Sequence, residues 1–205
     1  MKQAAVGFRV HSGWSALVTV CLEKGAPLVL HRRRAHLVET FTYTFRQPYH
    51  TAERMEREEA RRFVSQVRAQ AKDLAYGAIH GLKMELKELG YQLNHGALLL
   101  AAGGPLPELE KILASHAMIH TADGELFRES LLHASERCGL AVMTIKEREL
   151  LEQAANTLRL PRPSLLRRAT ELGRPFGTPW SQDEKFATLA AWLALCSAQY
   201  RRRKG

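Results

Sequence analysis

Two histidines and two charged residues form the densest group of potential ligands and acid–base residues in this 205-residue chain. His116 and His120 are followed closely by Glu125 and Arg128. Imidazole and carboxylate groups bind transition metals, and an imidazole beside a carboxylate can act as a general base. The two histidines share a helix face only if their interval is helical, and Asp123 precedes a glycine that favours a turn. We therefore interpret the group as a metal set, as a base with an orienting partner, or as a loop with hydrogen-bonded histidines.

A second group of candidate ligand-binding residues is a turn between two apolar segments. It combines an imidazole, a hydroxyl, a glycine and an indole, namely His11, Ser12, Gly13 and Trp14. Gly103 and Gly104 follow a later apolar segment, and their amides could donate hydrogen bonds to a phosphate or an oxyanion. Residues of these types also form ordinary turns, in which the side chains cap backbone groups. Both interpretations stay open at this point.

Positive charge is concentrated at the two ends of the sequence. The formal net charge is +9 at pH 7, and residues 1–50 hold seven lysines and arginines against two glutamates. Residues 159–205 hold ten basic residues against three acidic ones. The candidate phosphate-binding clusters are Arg32, Arg33 and Arg34, and Arg201, Arg202, Arg203 and Lys204. Polarised charge of this kind favours nucleic acid or another polyanion as partner, although an arginine-rich proteome would give the same composition.

A five-stranded sheet is predicted to position these residues. It consists of three antiparallel strands followed by two strands that alternate with helices. The expected strands cover residues 5–10, 16–22, 27–30, 96–102 and 140–144, and the third strand has a possible extension through Val38, where apolar and basic residues mix. Phe41, Tyr43 and Phe45 alternate with other residues, which favours an extra edge strand or an extended arm. This order indicates an α/β domain over residues 1–158.

Helical spacing of apolar residues predicts one long helix over about residues 51–89 and another from about Asp123. A capping box at Thr144 predicts the start of a helix that ends near residue 158. A second capping box at Ser181 predicts the start of the final helix. Prolines and glycines between them mark residues 159–205 as a basic, helical C-terminal extension that packs on the domain or on a partner.

The cysteines and the hydropathy bear on cellular location. Cys21, Cys138 and Cys196 are odd in number and far apart in apolar segments, which is typical of buried thiols in a reducing compartment. No apolar run has the length of a membrane span or of a signal sequence. We expect a cytoplasmic protein with no membrane partner. Cofactors, metal dependence and association between copies of the chain stay open.

The element order over roughly residues 4–158 resembles the ribonuclease H-like fold, which nucleases, actin-like ATPases and some ribosomal and release-factor domains share. In nucleases of this group, a carboxylate on the first strand helps to hold two divalent metal ions for phosphodiester cleavage. In the ATPases, an aspartate precedes the glycine-containing turn between the first two strands. The matching neighbourhood here is Val10 to Gly13, which keeps the turn but has no aspartate, and the first strand contains no aspartate or glutamate. The resemblance implies a three-layer α/β arrangement with a ligand site at the carboxyl ends of the strands.

Two functions follow as alternatives. The first is nucleic-acid binding without two-metal nuclease chemistry, with the basic clusters on phosphates. The second is an enzyme or binding protein for a small phosphorylated or carboxylated molecule. In that protein His11 or His120 would be the general base and Arg128 an anion clamp. Because the usual carboxylates are missing, the first alternative is favoured.

Overall fold

Three antiparallel strands joined by tight turns open the fold. The computed structural model describes residues 1–102 and 104–202, with side chains to residue 198. The strands are β1 (Lys2–His11), β2 (Trp14–Glu23) and β3 (Ala26–His36). Gly13 occupies the first turn with a φ of +80°, a conformation that favours glycine. β1 and β2 are longer than predicted. β3 continues past Leu30, as the prediction allowed, and its pairing with β2 extends to His36 opposite Trp14.

Two parallel strands complete the sheet. β4 (Tyr91–Leu100) pairs with β1, and β5 (Ala141–Lys146) pairs with β4, which gives the order β3-β2-β1-β4-β5. The predicted α/β class with a five-stranded mixed sheet is therefore confirmed. Since β1, β4 and β5 run in the same direction, their carboxyl ends meet at one edge of the sheet, here called the carboxyl edge.

Helices cover both faces of the sheet and make three layers. The α-helices of the described residues are α1 (Tyr43–Arg46), α2 (Pro48–Ala52), α3 (Arg57–Glu88), α4 (Leu109–Leu113), α5 (His116–Arg137), α6 (Leu150–Leu158), α7 (Arg162–Leu172) and α8 (Gln182–Arg202). Helices α3 and α5 bury their apolar sides on one face, and α6 and α8 pack on the other. None of the described helices is both long and apolar enough to cross a membrane.

The backbone of α8 lies unusually close to β1. A Cβ atom at Gly7 would lie 1.9 Å from the carbonyl oxygen of Ala187 and 2.9 Å from the amide nitrogen of Ala191. Only a residue without a side chain fits between the strand and the helix. The predicted capping box at Ser181 is present at the start of α8, where the Ser181 amide donates to Glu184 at 2.7 Å. These two features fix α8 against the middle of the sheet.

The predicted aromatic arm is wrong. Tyr43 and Phe45 lie in α1, and a second short helix, α2, follows at Pro48. The alternation is short, and it is overridden by tertiary packing, since the Phe45 ring lies 6.1 Å from that of Phe63. The long helix accordingly begins at Arg57 rather than near residue 51.

Two predicted helix starts are also wrong. Thr144 is not a helix cap, because β5 continues to Lys146 and a short 3₁₀ turn precedes α6. Helix α5 begins at His116 rather than near Asp123. The Asp123 side chain accepts a hydrogen bond from the backbone of α2 instead of forming a local turn. The interval from His116 to His120 is therefore helical.

Candidate functional site

A network of charged groups lies at the carboxyl edge. Arg9 of β1 donates two hydrogen bonds to the carboxylate of Glu147, at 3.0 and 2.8 Å, and a third to Asp183. His11 Nε2 lies 2.7 Å from the same oxygen of Asp183. The Arg9 and Asp183 side chains are only 16% and 19% exposed. The network thus ties the end of β1 to the end of β5 and to the first turn of α8.

The carboxylate of Asp183 is stabilised in its charged form. Burial alone would raise the pKa of Asp183, but the hydrogen bonds and positive charge of His11 and Arg9 outweigh burial and hold that pKa below its ordinary value. The hydrogen bonds to Glu147 raise the pKa of Arg9. Position also favours the anion, because Asp183 lies in the first turn of α8, at the positive end of the helix dipole.

The carboxyl edge does not fit a pair of divalent metal ions. β1 ends in His11, and β4 ends in Leu100, followed by Ala101 and Ala102. Glu147, which directly follows β5, and Asp183 of α8 reach this edge, and Arg9 holds both carboxylates. Two-metal phosphodiester cleavage needs carboxylates that are free to bridge the ions. Among the described residues of this edge, such a set is missing.

A row of alternating cations and aromatic rings continues from His11. We name it the cationic-aromatic row, and its members are His11, Trp14, Arg34, Phe41 and Arg46. The His11 ring stacks on Trp14 with centroids 4.4 Å apart and an interplanar angle of 12°. The Arg34 guanidinium lies 3.8 Å from the Trp14 ring centroid. Phe41 then lies between Arg34, at 5.5 Å, and Arg46, at 4.5 Å. Within the described part of the chain, neither arginine of the row forms an ion pair.

The three arginines of β3 point to alternate faces of the sheet. Arg33 donates to both carboxylate oxygens of Glu85 in α3, at 2.8 and 3.0 Å. Arg32 lies on the other side, where it donates to the carbonyl oxygen of Pro179. Arg34 joins the cationic-aromatic row. The three side chains therefore do not converge on one position.

His116 and His120 lie in the first turns of α5, beside His50 of α2. Their Nε2 atoms are 3.1 Å apart, and the ring centroid of His50 lies 4.4 Å from that of His120. Nδ1 of His50 contacts the carboxylate of Asp123, which also accepts the Tyr49 amide at 2.7 Å. Burial raises the pKa of Asp123, while both hydrogen bonds act to lower it. The three imidazoles are positioned to share one metal ion.

Glu125 and Arg128, the other predicted members of the histidine group, pair with each other along α5. Arg128 donates to Glu125 at 2.8 Å, and the two side chains are 12% and 21% exposed. Arg128 also lines a cavity of about 240 Å³ at the carboxyl edge, together with Lys146 and Arg148. The sequence-predicted pair thus lies on the same helix as the two histidines, with Arg128 at the carboxyl edge.

The remaining predicted residues lie at chain turns and ends. The carbonyl oxygen of Ser12 accepts from Arg46 Nε at 3.3 Å, so the turn between β1 and β2 supports the cationic-aromatic row. Gly104 has open space around its Cα. Arg201 and Arg202 end α8. The predicted residues outside the described part of the chain are Gly103, Arg203 and Lys204.

Sequence reasoning missed several members of these groups. Arg9 carried the clearest signal, since it is a single charge within the apolar segment from Val6 to Val10. Asp183 was interpreted only as a helix-start residue. His50 and Arg46 carried no periodic signal, because short helices place them.

Comparison with known proteins shows what this architecture is similar to. No protein-family model and no curated protein sequence matches the chain. Among solved structures, RuvC of T. thermophilus in complex with a Holliday junction substrate has a TM-score of 0.53 at 12% sequence identity, over 98% of this chain and 96% of that one. A second Thermus thermophilus RuvC structure has a TM-score of 0.52 at 13% identity, over the same shares. A member of the Ppx/GppA protein family from Aquifex aeolicus gives 0.36 at 12% identity, over 78% of this chain and 40% of that one. At these identities the likeness to the two RuvC structures concerns the fold, and it agrees with the strand order and the three layers described above: the chain has a ribonuclease H-like fold.

Proposed function

We propose that this protein binds nucleic acid through the cationic-aromatic row and does not cleave it by two-metal chemistry. The observation that carries the proposal is the pair Arg34 and Arg46, two cations stacked on aromatic rings with no acidic partner among the described residues. A guanidinium on a ring keeps its N–H donors in its own plane, where they can reach phosphate oxygens.

The aromatic members favour nucleic acid over other polyanions. Phe41 is 38% exposed and the neighbouring Tyr43 is 61% exposed, which is high for large rings. Exposed rings next to cations stack unpaired bases while the cations hold the backbone. We therefore expect single-stranded segments, or the unpaired bases of branched nucleic acid, to bind more tightly than a plain duplex. The likeness to a RuvC that was solved with a Holliday junction supports this expectation.

The absence of cleavage in the proposal rests on the carboxyl edge. β1 contains no aspartate or glutamate, and Arg9 is ion-paired with both Glu147 and Asp183 at this edge. The ion pairs of Arg9 with Glu147 and Asp183 instead hold the carboxyl edge of the sheet rigid, and this edge supports the cationic-aromatic row.

We also infer that the protein works in the cytoplasm. Cys21 and Cys138 are buried free thiols, and Cys196 is half-buried and free. Burial raises the pKa of each thiol, so they stay protonated and inert in a reducing compartment.

A salt titration tests the binding proposal. Affinity for labelled single-stranded DNA, a four-way junction and a duplex is measured by fluorescence anisotropy across a range of salt concentrations. For single strands, each lost phosphate contact lowers the slope of log K against log salt by about 0.7, so Arg34→Ala/Arg46→Ala should lower it by about 1.4. The matched control is Arg33→Ala/Arg61→Ala, which removes the same charge from two arginines paired with glutamates.

The control should keep the wild-type slope. An equal loss in both double variants would show that binding follows net charge alone, and unchanged binding in Arg34→Ala/Arg46→Ala would rule out the row. Thermal denaturation of each variant confirms that the fold is intact.

A separate incubation with Mg²⁺ or Mn²⁺ tests the second part of the proposal. We expect intact DNA and RNA after incubation with an excess of protein. Cleavage that EDTA abolishes would overturn the non-cleaving part while leaving the binding result in place.

The cavity near Arg128 favours a second candidate function, the binding of a small phosphorylated or carboxylated molecule. Lys146 and Arg148 line it at the carboxyl ends of β4 and β5, where ligands of α/β sheets gather. Thermal shifts with inorganic phosphate and simple sugar phosphates test this candidate. A shift that disappears in Lys146→Ala/Arg148→Ala would support it, and no shift in the wild type would discard it.

A further inference from the structure

We propose that His50, His116 and His120 bind one divalent transition metal ion, with Zn²⁺ as the expected occupant, and that Asp123 positions His50 for this purpose. The site lies between α2 and α5 and uses none of the residues of the cationic-aromatic row. It therefore stands independently of the proposed nucleic-acid binding.

The three imidazoles converge as ligands of one ion do. Their candidate ligand atoms all lie within 4.8 Å of one another, and the Nε2 atoms of His116 and His120 are 3.1 Å apart. Two nitrogens on a tetrahedral zinc, each bonded at about 2.0–2.1 Å, lie roughly 3.3 Å apart. The rings meet edge to face, at 68°, 78° and 88°. This is the arrangement of imidazoles around a centre rather than of a stacked pair.

The helix explains how two of the ligands come together. His116 and His120 are four residues apart at the start of α5, so they share one face of the helix. Both are exposed, which leaves the fourth coordination position open to water. His50 completes the set from α2, and its side chain is only 9% exposed.

Asp123 fixes the orientation of the third ligand. Its carboxylate is 4% exposed and contacts Nδ1 of His50, and its other oxygen accepts the Tyr49 amide at 2.7 Å. A carboxylate on Nδ1 selects the tautomer in which Nε2 carries the free electron pair. That nitrogen is the one that a metal ion would bind. A buried carboxylate behind a histidine is the usual outer support of a zinc ligand.

The ligand types decide which ions fit. Three neutral imidazoles suit zinc, copper, nickel and cobalt, whereas Mg²⁺ and Ca²⁺ require oxygen ligands. Zn²⁺ is the expected occupant because it accepts the tetrahedral geometry that these spacings allow.

A metal ion here would fasten a weak part of the chain to the core. α1 and α2 have four and five residues, and neither has a side-chain cap. Helices of this length are unstable alone and depend on tertiary contacts. An ion shared by α2 and α5 would supply one of those contacts.

Metal titration of the full chain, purified without a histidine tag and dialysed against EDTA, tests the inference. We expect one equivalent of Co²⁺ to give the intense visible bands of tetrahedral cobalt, and Zn²⁺ to displace it and raise the melting temperature. Zinc should also slow amide hydrogen exchange over residues 43–52. His120→Ala should abolish all three effects while the metal-free protein keeps its fold, because the His120 side chain is exposed.

Two further variants separate the roles. Asp123→Asn should weaken zinc binding by about 10–100-fold, as loss of an outer partner does. The matched control is His80→Ala, which removes an exposed histidine that stacks on Tyr76 in α3. It should bind metal like the wild type.

The inference is overturned if the wild type binds neither Co²⁺ nor Zn²⁺ at micromolar concentration, or if His120→Ala binds them as well as the wild type does. Thiolate-to-cobalt charge-transfer bands would also overturn it, because they would place the ion on a cysteine. Should His120→Ala fail to fold, His116→Ala gives the same test from the other exposed ligand.

Discussion

Replacing Gly7 by alanine would force α8 away from the sheet. The new Cβ would lie 1.9 Å from the Ala187 carbonyl oxygen, about 1.5 Å short of the 3.4 Å at which ordinary van der Waals contact begins. The new methyl group is fixed to the backbone of the central strand β1, and the carbonyl belongs to the backbone of a long helix, so no side-chain rotation relieves the clash. The helix as a whole must move.

The loss of folding stability depends on the apolar side chains that α8 packs against the sheet. Its buried side chains include Leu189, Leu193 and Leu195, which fill the apolar layer on this face of the sheet. Overpacking a well-packed core costs about 1–3 kcal/mol in stability. We take the upper limit of this range for a clash that no side-chain rotation can relieve. For a chain of this size, each kcal/mol shifts the melting temperature by about 2–4 °C. We therefore expect Gly7→Ala to lower it by about 6–12 °C.

Gly77→Ala provides the matched control for thermal denaturation followed by circular dichroism. Gly77 lies in α3, and a Cβ there would meet no atom within 4 Å. The same substitution should therefore stabilise the helix by about 0.5–1 kcal/mol. A Gly7→Ala melting temperature equal to or above that of the wild type would refute the close contact between α8 and β1.

Three further predictions concern the start of α8 and the segment before it. The lowered pKa of Asp183 means that its charged form contributes stability above the unfolded pKa of about 4. This stability is lost as the pH falls through the folded value. Urea midpoints of Asp183→Asn and the wild type should therefore differ at pH 7 and converge in acid, and a constant difference would contradict the ion-pair network. Gly173→Ala would place a Cβ 2.1 Å from the Trp180 ring and should displace it, which a red shift in tryptophan fluorescence would report and an unchanged spectrum would refute. Ser181→Ala removes the hydroxyl that caps the Asp183 amide at 3.0 Å and should cost about 1 kcal/mol in urea unfolding, whereas an unchanged midpoint would show that the cap contributes nothing.

The sheet was predictable because burial leaves a pattern in the sequence. Strands that are covered on both faces, such as β2, contain nearly continuous apolar runs, here Ala16 to Cys21 interrupted only by Thr19. The end of the third strand was harder to predict, since Arg32, Arg33 and Arg34 interrupt its apolar pattern while its backbone keeps pairing with β2 as far as His36. Edge strands tolerate such charges, which also discourage pairing with other chains.

The candidate sites were only half predictable. His11 and Trp14 could be selected by residue type, and so could the two histidines that begin α5. Their partners come from elsewhere in the chain, as Asp183 does, 172 positions after His11. His50 likewise reaches the other histidines through a contact between α2 and α5. The sequence shows which residue types could bind a ligand or a metal ion. It does not show which of them come into contact, because tertiary packing determines those contacts.

The contact between β1 and α8 can form only late in synthesis of the protein, because the two elements lie near opposite ends of the sequence. Arg9 and Asp183 are 174 positions apart. At roughly 5–20 residues per second, a ribosome needs about 9–35 s to add that length of chain. Throughout this interval the face of β1 and β2 that carries Ala5, Val18 and Val20 lacks α8, the helix whose side chains fill most of the apolar layer there. The nascent chain therefore exposes part of the apolar surface of its sheet for many seconds during translation. We expect it to aggregate more readily at this stage than after folding is complete.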